Sequence, residues 1–175
     1  MRKLIVTEFI SADGFADVER LKDVIWNAEM QAFKDEELAD SGAMLIGRKT
    51  YGIFAGHWPK ETGDFADRFN ALPKYVASTT LREVDWKPSE LLKGPLLDAV
   101  VNLKQRATGN IYVHGSLNLA QQLLTLSLVD RVRLLSYPVV LGDGKRLFPA
   151  SELRLDLVTT KSFSNGVVAL EYAPR

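Results

Sequence analysis

Short apolar runs rich in β-branched and aromatic residues alternate along this chain with segments of helical spacing, and each run stops at small or hydroxyl residues. Leu4-Ile5-Val6-Thr7-Glu8-Phe9-Ile10 ends at Ser11-Ala12-Asp13-Gly14, and Ala43-Met44-Leu45-Ile46 ends at Gly47. Tyr75-Val76-Ala77 ends at Ser78-Thr79-Thr80, and Ile111-Tyr112-Val113-His114 ends at Gly115-Ser116. Runs of four to seven residues bounded by turn formers read as strands. Leu21, Val24, Ile25, Ala28 and Ala32 recur at helical spacing between the first two strands, which predicts a helix from Val18 to about Leu38, closed by Ser41-Gly42. Helices are also expected from Arg48 to Phe54, Phe65 to Leu72, Leu96 to Arg106 and Asn118 to Leu126, with a loop from Pro59 to Asp64. The polar stretch Glu83 to Gly94 gives no clear assignment. Arg131 to Tyr137 is a further strand that Pro138 to Leu141 extends before Gly142-Asp143-Gly144 turns the chain. Leu153 to Phe163 and Val167 to Tyr172 flank Ser164-Asn165-Gly166, where Asn-Gly supplies the positive φ angles of a hairpin.

Strands alternating with helices and followed by a run of strands imply one α/β domain, its mixed, mostly parallel sheet carrying an antiparallel C-terminal hairpin. The 175 residues suffice for one substantial core. With 22 basic and 22 acidic side chains the net charge is zero, which argues against nucleic acid as a partner. Zero cysteines and two histidines leave little from which to build a metal site, and fit a reducing, cytoplasmic setting. No apolar stretch is long enough to span a bilayer. The opening Met1-Arg2-Lys3 is followed by an apolar run that Thr7 and Glu8 interrupt, so it reads as a strand rather than a leader.

Ligands of open α/β sheets collect beyond the carboxyl ends of the strands. Three junctions stand there: Gly47-Arg48-Lys49-Thr50, Ser78-Thr79-Thr80 and Gly115-Ser116-Leu117-Asn118-Leu119. Small residues before a helix N-terminus, with cations nearby, suit a phosphate-bearing small molecule. Each junction is equally consistent with a plain strand end or turn, and none carries a G-x-G-x-x-G or Walker pattern. No G-x-S-x-G elbow surrounds a nucleophile, so hydrolysis lacks its parts. Glu36-Glu37 reads as solvated charge on a polar helix face.

Leu45-Ile46-Gly47-Arg48-Lys49-Thr50-Tyr51, Tyr75-Val76-Ala77-Ser78-Thr79-Thr80-Leu81 and Ile111 to Ser116 occur in the order seen in dihydrofolate reductase-like proteins. Leu128-Val129-Asp130 and Tyr137-Pro138-Val139-Val140-Leu141-Gly142-Asp143-Gly144-Lys145-Arg146-Leu147-Phe148 are more specific. With Ser11-Ala12-Asp13-Gly14, they resemble the C-terminal reductase domain of the bifunctional riboflavin-biosynthesis deaminase-reductase and its stand-alone relatives. The resemblance implies a three-layer α/β/α dihydrofolate reductase-like fold, NADPH as cofactor, a small-molecule substrate and a homodimer. Gly47, Arg48, Lys49 and Thr50 would then hold the phosphate-bearing side of the cofactor, Ser78 and Thr79 its 2′-phosphate, and Gly115, Ser116, Leu117, Asn118 and Leu119 the diphosphate. A cis peptide is implied at Gly115–Ser116, and the first strand near Phe9 would pass the nicotinamide.

The implied activity is reduction of the ribosyl carbonyl of a ribosylamino-pyrimidine phosphate, with dihydrofolate reduction or dinucleotide binding without turnover as alternatives. Dihydrofolate reductases carry an acid on the first helix; here the matching position is Gln31, downstream of Trp26-Asn27. Asp13 becomes the catalytic candidate that contacts substrate, against an even alternative as a turn residue capping the following helix. Glu8 is a lesser candidate that reads as an outward-facing charge. His114 ends a strand beside the cofactor loop, within reach of ligand, but reads rather as a satisfied, half-buried histidine. His57 lies on a loop placed to cover the substrate, with packing under Trp58 as the alternative.

Overall fold

The structure is a computed structural model that describes residues 2–21, 24, 26–149 and 151–175. Its first strand, β1 (Leu4–Ser11), lies inside an eight-stranded sheet, with helix α1 (Val18–Leu21) and helix α2 (Ala28–Asp40) leading to strand β2 (Ser41–Gly47). Helix α3 (Arg48–His57), a 3₁₀ turn (Trp58–Lys60) and helix α4 (Asp64–Ala71) precede strands β3 (Lys74–Ala77) and β4 (Ser89–Leu91). Helix α5 (Leu96–Arg106), strand β5 (Asn110–His114), helix α6 (Leu117–Thr125) and strands β6 (Arg131–Tyr137), β7 (Leu155–Ser162) and β8 (Val168–Pro174) complete the chain.

The strand order is β4-β3-β2-β5-β1-β6-β8-β7. β4 through β6 in that order run parallel, and β6–β8 and β8–β7 pair antiparallel. All six parallel strands therefore deliver their carboxyl ends to one edge. β2 is buried from Ala43 to Gly47 because β3 and β5 flank it and helices cover both faces. On one face Leu4, Val6, Ile10, Leu45 and Val113 pack against Val100 and Leu103 of α5 and Ala120 and Leu123 of α6. On the other, Met44, Ile46 and Val76 meet Leu38 of α2 and Phe69 of α4, while Leu135 and Ala169 meet Leu21 and Met30. The three-layer α/β/α arrangement expected from the sequence is the one observed.

Four local readings change. The single helix expected from Val18 to Leu38 is two: α1 is one turn, and α2 restarts because Asn27 caps it, its side-chain oxygen accepting the Met30 amide at 2.9 Å. Ile25 of that pattern lies outside the described residues. Ser41-Gly42 does not end the helix in a turn but opens β2. There a Cβ on Gly42 would meet the Gly109 amide nitrogen at 2.1 Å, a close approach that only glycine permits. Pro138 to Leu141 is not strand: Pro138 has no N–H for the ladder, and the Val139 carbonyl turns to accept the Ala12 amide. At the hairpin only Gly166 has positive φ, +85°, so the loop is a three-residue one closed by Phe163 N–H to the Val167 carbonyl.

Candidate functional site

The carboxyl ends of β1, β2 and β5 converge on a cradle made by two helix N-termini. α3 begins after Gly47 and α6 after Ser116, and neither cap supplies a side-chain hydrogen bond to the first-turn amides. Those N–H groups stay open to an anion at the positive end of each helix. The two starts abut: a Cβ on Gly47 would lie 2.3 Å from Ser116 Oγ, and Thr50 Oγ1 and Ser116 Oγ share a 3.0 Å hydrogen bond. Gly115 has φ of +55°, and the Gly115–Ser116 peptide is cis. Arg48 and Lys49 are exposed on the first turn of α3, with no ion-pair partner among the described residues. The cradle therefore offers backbone donors and two cations around a close approach of two helix starts that glycine at position 47 permits, which fits a dinucleotide.

The other predicted positions fall into place around it. Ser78 follows β3, and its Oγ accepts the amides of Thr80 at 3.2 Å and Leu81 at 2.9 Å. Its role in the turn is thus explicit, and its hydroxyl hydrogen remains available to a phosphate. Thr79 is exposed beside it. Asn118 is exposed on the first turn of α6, whereas Leu117 is half-buried and Leu119 joins the core, so these two reach a ligand through their amides.

Asp13 sits apart from the cradle, at the loop after β1. Its carboxylate accepts Ser11 Oγ–H at 2.6 Å and the amides of Leu141 and Gly142 at 3.1 and 2.8 Å. The Ser11 hydroxyl, and after it those amides, hold its pKa down at about 2. Such a carboxylate organises a loop and has no proton to give at neutral pH. The alternative role of capping the following helix is not what these bonds do: Asp13 ties down the 141–142 segment, which explains the most specific motif of the sequence. Gly142 and Gly144 take φ of +76° and +133°, Arg146 lies 4.3 Å over the Phe15 ring, and the Ala16 amide donates to the Lys145 carbonyl. The 138–146 segment is thereby pinned to the loop that follows β1.

Trp26 and Phe9 form a tilted aromatic pair at 6.0 Å, and Tyr137 forms a second with Phe9 at 5.9 Å. Trp26 Nε1 donates to Gln31 Oε1 at 3.0 Å, so the Trp-Asn pair and Gln31 are in contact at the start of α2. His114 is half-buried against the edge of Phe69; burial, helped by Lys34, pushes its pKa to about 4. His57 is exposed, 5.4 Å from the Trp58 ring and 3.5 Å from Glu61.

Two carboxylates depart from their sequence reading. Glu37 is not solvated: it is 1% exposed, ion-paired with Lys34 and hydrogen-bonded by Thr7 Oγ1 at 3.1 Å. Glu8 does not point outward either. Its Oε1 is buried without a hydrogen-bond partner, and a Cβ on Gly115 would lie 3.6 Å from it. Burial raises the Glu8 pKa to about 7, against the opposing pull of Lys34 and the Gly115 and Phe9 amides. A signal was present in the sequence: Leu4, Val6, Glu8 and Ile10 share one face of β1, which places a carboxyl in an apolar row.

Across 98% of its length the chain is 31% identical to YyaP, an uncharacterized protein of Bacillus subtilis (strain 168), of which it covers 94%. Among solved structures it is similar to a protein of Shewanella sp. PV-4 assigned to riboflavin biosynthesis, with a TM-score of 0.76, 21% identity and 99% coverage of both chains. It is similar also to a pyrimidine reductase-like protein of Corynebacterium diphtheriae, with a TM-score of 0.68, 16% identity, and 99% and 92% coverage. A deaminase/5-amino-6-(5-phosphoribosylamino)uracil reductase of Thermotoga maritima matches at a TM-score of 0.67 and 15% identity, over 99% of this chain and 57% of that one. These likenesses agree with the fold built above, and the family model for the RibD C-terminal domain matches residues 2–169, so this chain belongs to the RibD C-terminal domain family.

Proposed function

We propose that this chain is a reductase of the riboflavin-biosynthesis type that uses NADPH to reduce the ribosyl carbonyl of a phosphorylated ribosylamino-pyrimidine to an alcohol. The observation that carries this reading is the paired helix start, where Gly47 leaves just enough room for Ser116 and the open amides of α3 and α6 face a common space. When bound, the nicotinamide supplies hydride. The protein supplies position and charge. Amides of the α3 and α6 first turns, from Gly47 to Thr50 and from Ser116 to Leu119, would hold the diphosphate. Arg48 and Lys49, with the hydroxyls of Ser78 and Thr79, would take a further phosphate through charge-assisted bonds. Phe9, Trp26 and Tyr137 would wall the substrate side with apolar rings and keep water from the reacting carbons. Asp13 would act on the substrate through the 138–146 loop that it holds.

Gln31 on α2 favours the pyrimidine substrate over dihydrofolate, because a carboxamide has no proton to deliver to a pterin nitrogen. The free edge of β7, with Leu157 and Val158 exposed at 56% and 47%, fits pairing with a second copy in a homodimer. A cytoplasmic location belongs to the same proposal.

The test is a titration of the purified protein with NADPH and NADH by nicotinamide fluorescence. Oxidation of the cofactor is then followed at fixed 5-amino-6-(5-phosphoribosylamino)uracil. NADPH is expected to bind more tightly and to be oxidised. Arg48→Ala should weaken NADPH by about tenfold or more and NADH little, since it removes one charged donor to a phosphate. Equal losses for both cofactors refute that role. Tight NADPH binding without oxidation of either the pyrimidine or dihydrofolate leaves a binding module, and no binding ends the reading.

A further inference from the structure

The reductase reading leaves a proton unaccounted for. Reduction of a carbonyl by hydride requires one proton at oxygen, and neither Gln31 nor Asp13 can furnish it. Among the described residues Glu8 and Arg131 are the side chains that keep a buried polar atom with no hydrogen-bond partner, and only Glu8 borders the cradle. A buried carboxyl oxygen left unpaired costs free energy unless a ligand completes it.

We propose that Glu8 is the proton donor of this site, its free Oε1 delivering a proton to the substrate's carbonyl oxygen as the carbonyl carbon receives hydride. The inference rests on the reductase reading above. Glu8 lies on the face of β1 that the Gly115 turn and the start of α6 cover, opposite the face that Thr7 presents to α2. A Cβ on Gly115 would lie 3.6 Å from Glu8 Oε1 and 3.1 Å from Thr50 Oγ1, so the carboxyl borders the turn that joins the paired helix starts.

The step balances. The carboxyl O–H bond breaks and the alcohol O–H bond forms, the carbonyl π bond gives way to a new C–H bond, and the reduced nicotinamide is oxidised. Glu8 then regains its proton from water, so one carbonyl, one NADPH and one proton yield one alcohol and one NADP⁺.

The surroundings supply the right protonation state. Lys34 on α2 is the cation that acts on Glu8, but its ammonium is ion-paired to Glu37 and donates to Thr7 Oγ1 at 3.2 Å. His114 on β5 is uncharged at neutral pH. α3 and α6 present Thr50 and Ser116, both uncharged, while Arg48 and Lys49 stay exposed. Burial therefore dominates and holds the carboxyl near pKa 7, within the working range of a general acid.

Three measurements on wild type, Glu8→Gln and Glu8→Asp test this. Carbon-13 NMR of labelled glutamate in the free protein should show a carboxyl titrating near pH 7 that Glu8→Gln removes; no carboxyl titrating between pH 6 and 8 overturns the inference. NADPH affinity of Glu8→Gln should stay within about threefold of wild type. Single-turnover oxidation of NADPH with 5-amino-6-(5-phosphoribosylamino)uracil should fall by about 100-fold or more in Glu8→Gln. Wild type should lose rate above pH 7, as the acid ionises, and Glu8→Asp should keep a falling limb that Glu8→Gln lacks. Unchanged rate and pH profile in Glu8→Gln overturn the inference while the reductase reading stands. Failure of wild type to bind NADPH overturns both.

Discussion

Two glutamates that feel one lysine, Glu37 buried and Glu8 half-buried with a buried Oε1, have opposite electrostatic fates in this protein. Glu37, beneath α2, receives Lys34, the Thr7 hydroxyl and, at 3.9 Å, the guanidinium of Arg133, and its pKa is lowered although burial opposes it. Glu8, next to Thr7 on β1 but on the opposite face of the sheet, keeps an oxygen with no partner and has its pKa raised to about 7. One cation cannot satisfy both. Lys34 is committed by its contact with Glu37, and at Glu8 desolvation outweighs the Lys34 field and the Gly115 and Phe9 amides together. The difference separates a structural ion cluster, in which every polar atom finds a partner inside the chain, from a site that is completed from outside.

Removing Glu37 should have the largest effect. Glu37→Ala strands the buried Lys34 ammonium and part of the Arg133 charge, and loss of one partner of a buried pair costs about 3–5 kcal/mol. A urea unfolding curve at pH 7 should show a correspondingly lower midpoint at unchanged slope. A loss below about 1 kcal/mol would mean that the cluster is solvated after all, and the contrast with Glu8 would disappear.

Glu8→Gln should shift stability the other way, and in a pH window of its own. The folded-state pKa of Glu8 lies above its unfolded value of 4.5, so its contribution is fully present below pH 4.5 and is lost as pH rises to about 7. A displacement from 4.5 to about 7 corresponds to about 3 kcal/mol withdrawn from the ligand-free wild type above pH 7. Glu8→Gln lacks the titration. It should match wild type near pH 4.5 and exceed it by about 2–3 kcal/mol at pH 8. Equal stabilities at pH 8 would show that water or a shifted Lys34 already satisfies the carboxyl.

The two glutamates also mark how far the sequence could be read. Strand and helix order, the burial of β2 on both faces and the three junctions of the cradle follow from local patterns that repeat every two or 3.6 residues. The sequence leaves β4 unassigned because Ser89-Glu90-Leu91 is a short, polar edge strand that pairs with β3 alone among the described strands. Glu37 was misread because its partners Thr7 and Arg133 lie 30 and 96 positions away in sequence, and a helix pattern registers only that Glu36 and Glu37 are charged. Glu8 was legible in principle, since alternation along β1 places it among Leu4, Val6 and Ile10. What alternation cannot supply is the identity of the cover on that face, here the Gly115 turn rather than water. The family-specific 137–148 motif is recognisable without its reason, which is that Asp13 and Phe15 bind it at Leu141, Gly142 and Arg146.

Asp13 gives the smallest expected change and sharpens the comparison from a third side. It is a carboxylate at the protein surface, satisfied by amides instead of by a cation, and it stays ionised down to about pH 2. Asp13→Asn retains one acceptor where two were used, so the Leu141 and Gly142 amides compete for it. Unfolding midpoints should barely move, because the loop hydrogen bonds lie outside the core. Hydrogen exchange at Leu141 and Gly142 should quicken by about tenfold, as the 138–146 segment opens locally. Substrate KM should rise while kcat holds, the signature of weakened binding without lost chemistry. A fall in kcat at constant KM would place Asp13 at the reacting atoms, and Glu8 would no longer be the carboxyl set apart by what it lacks.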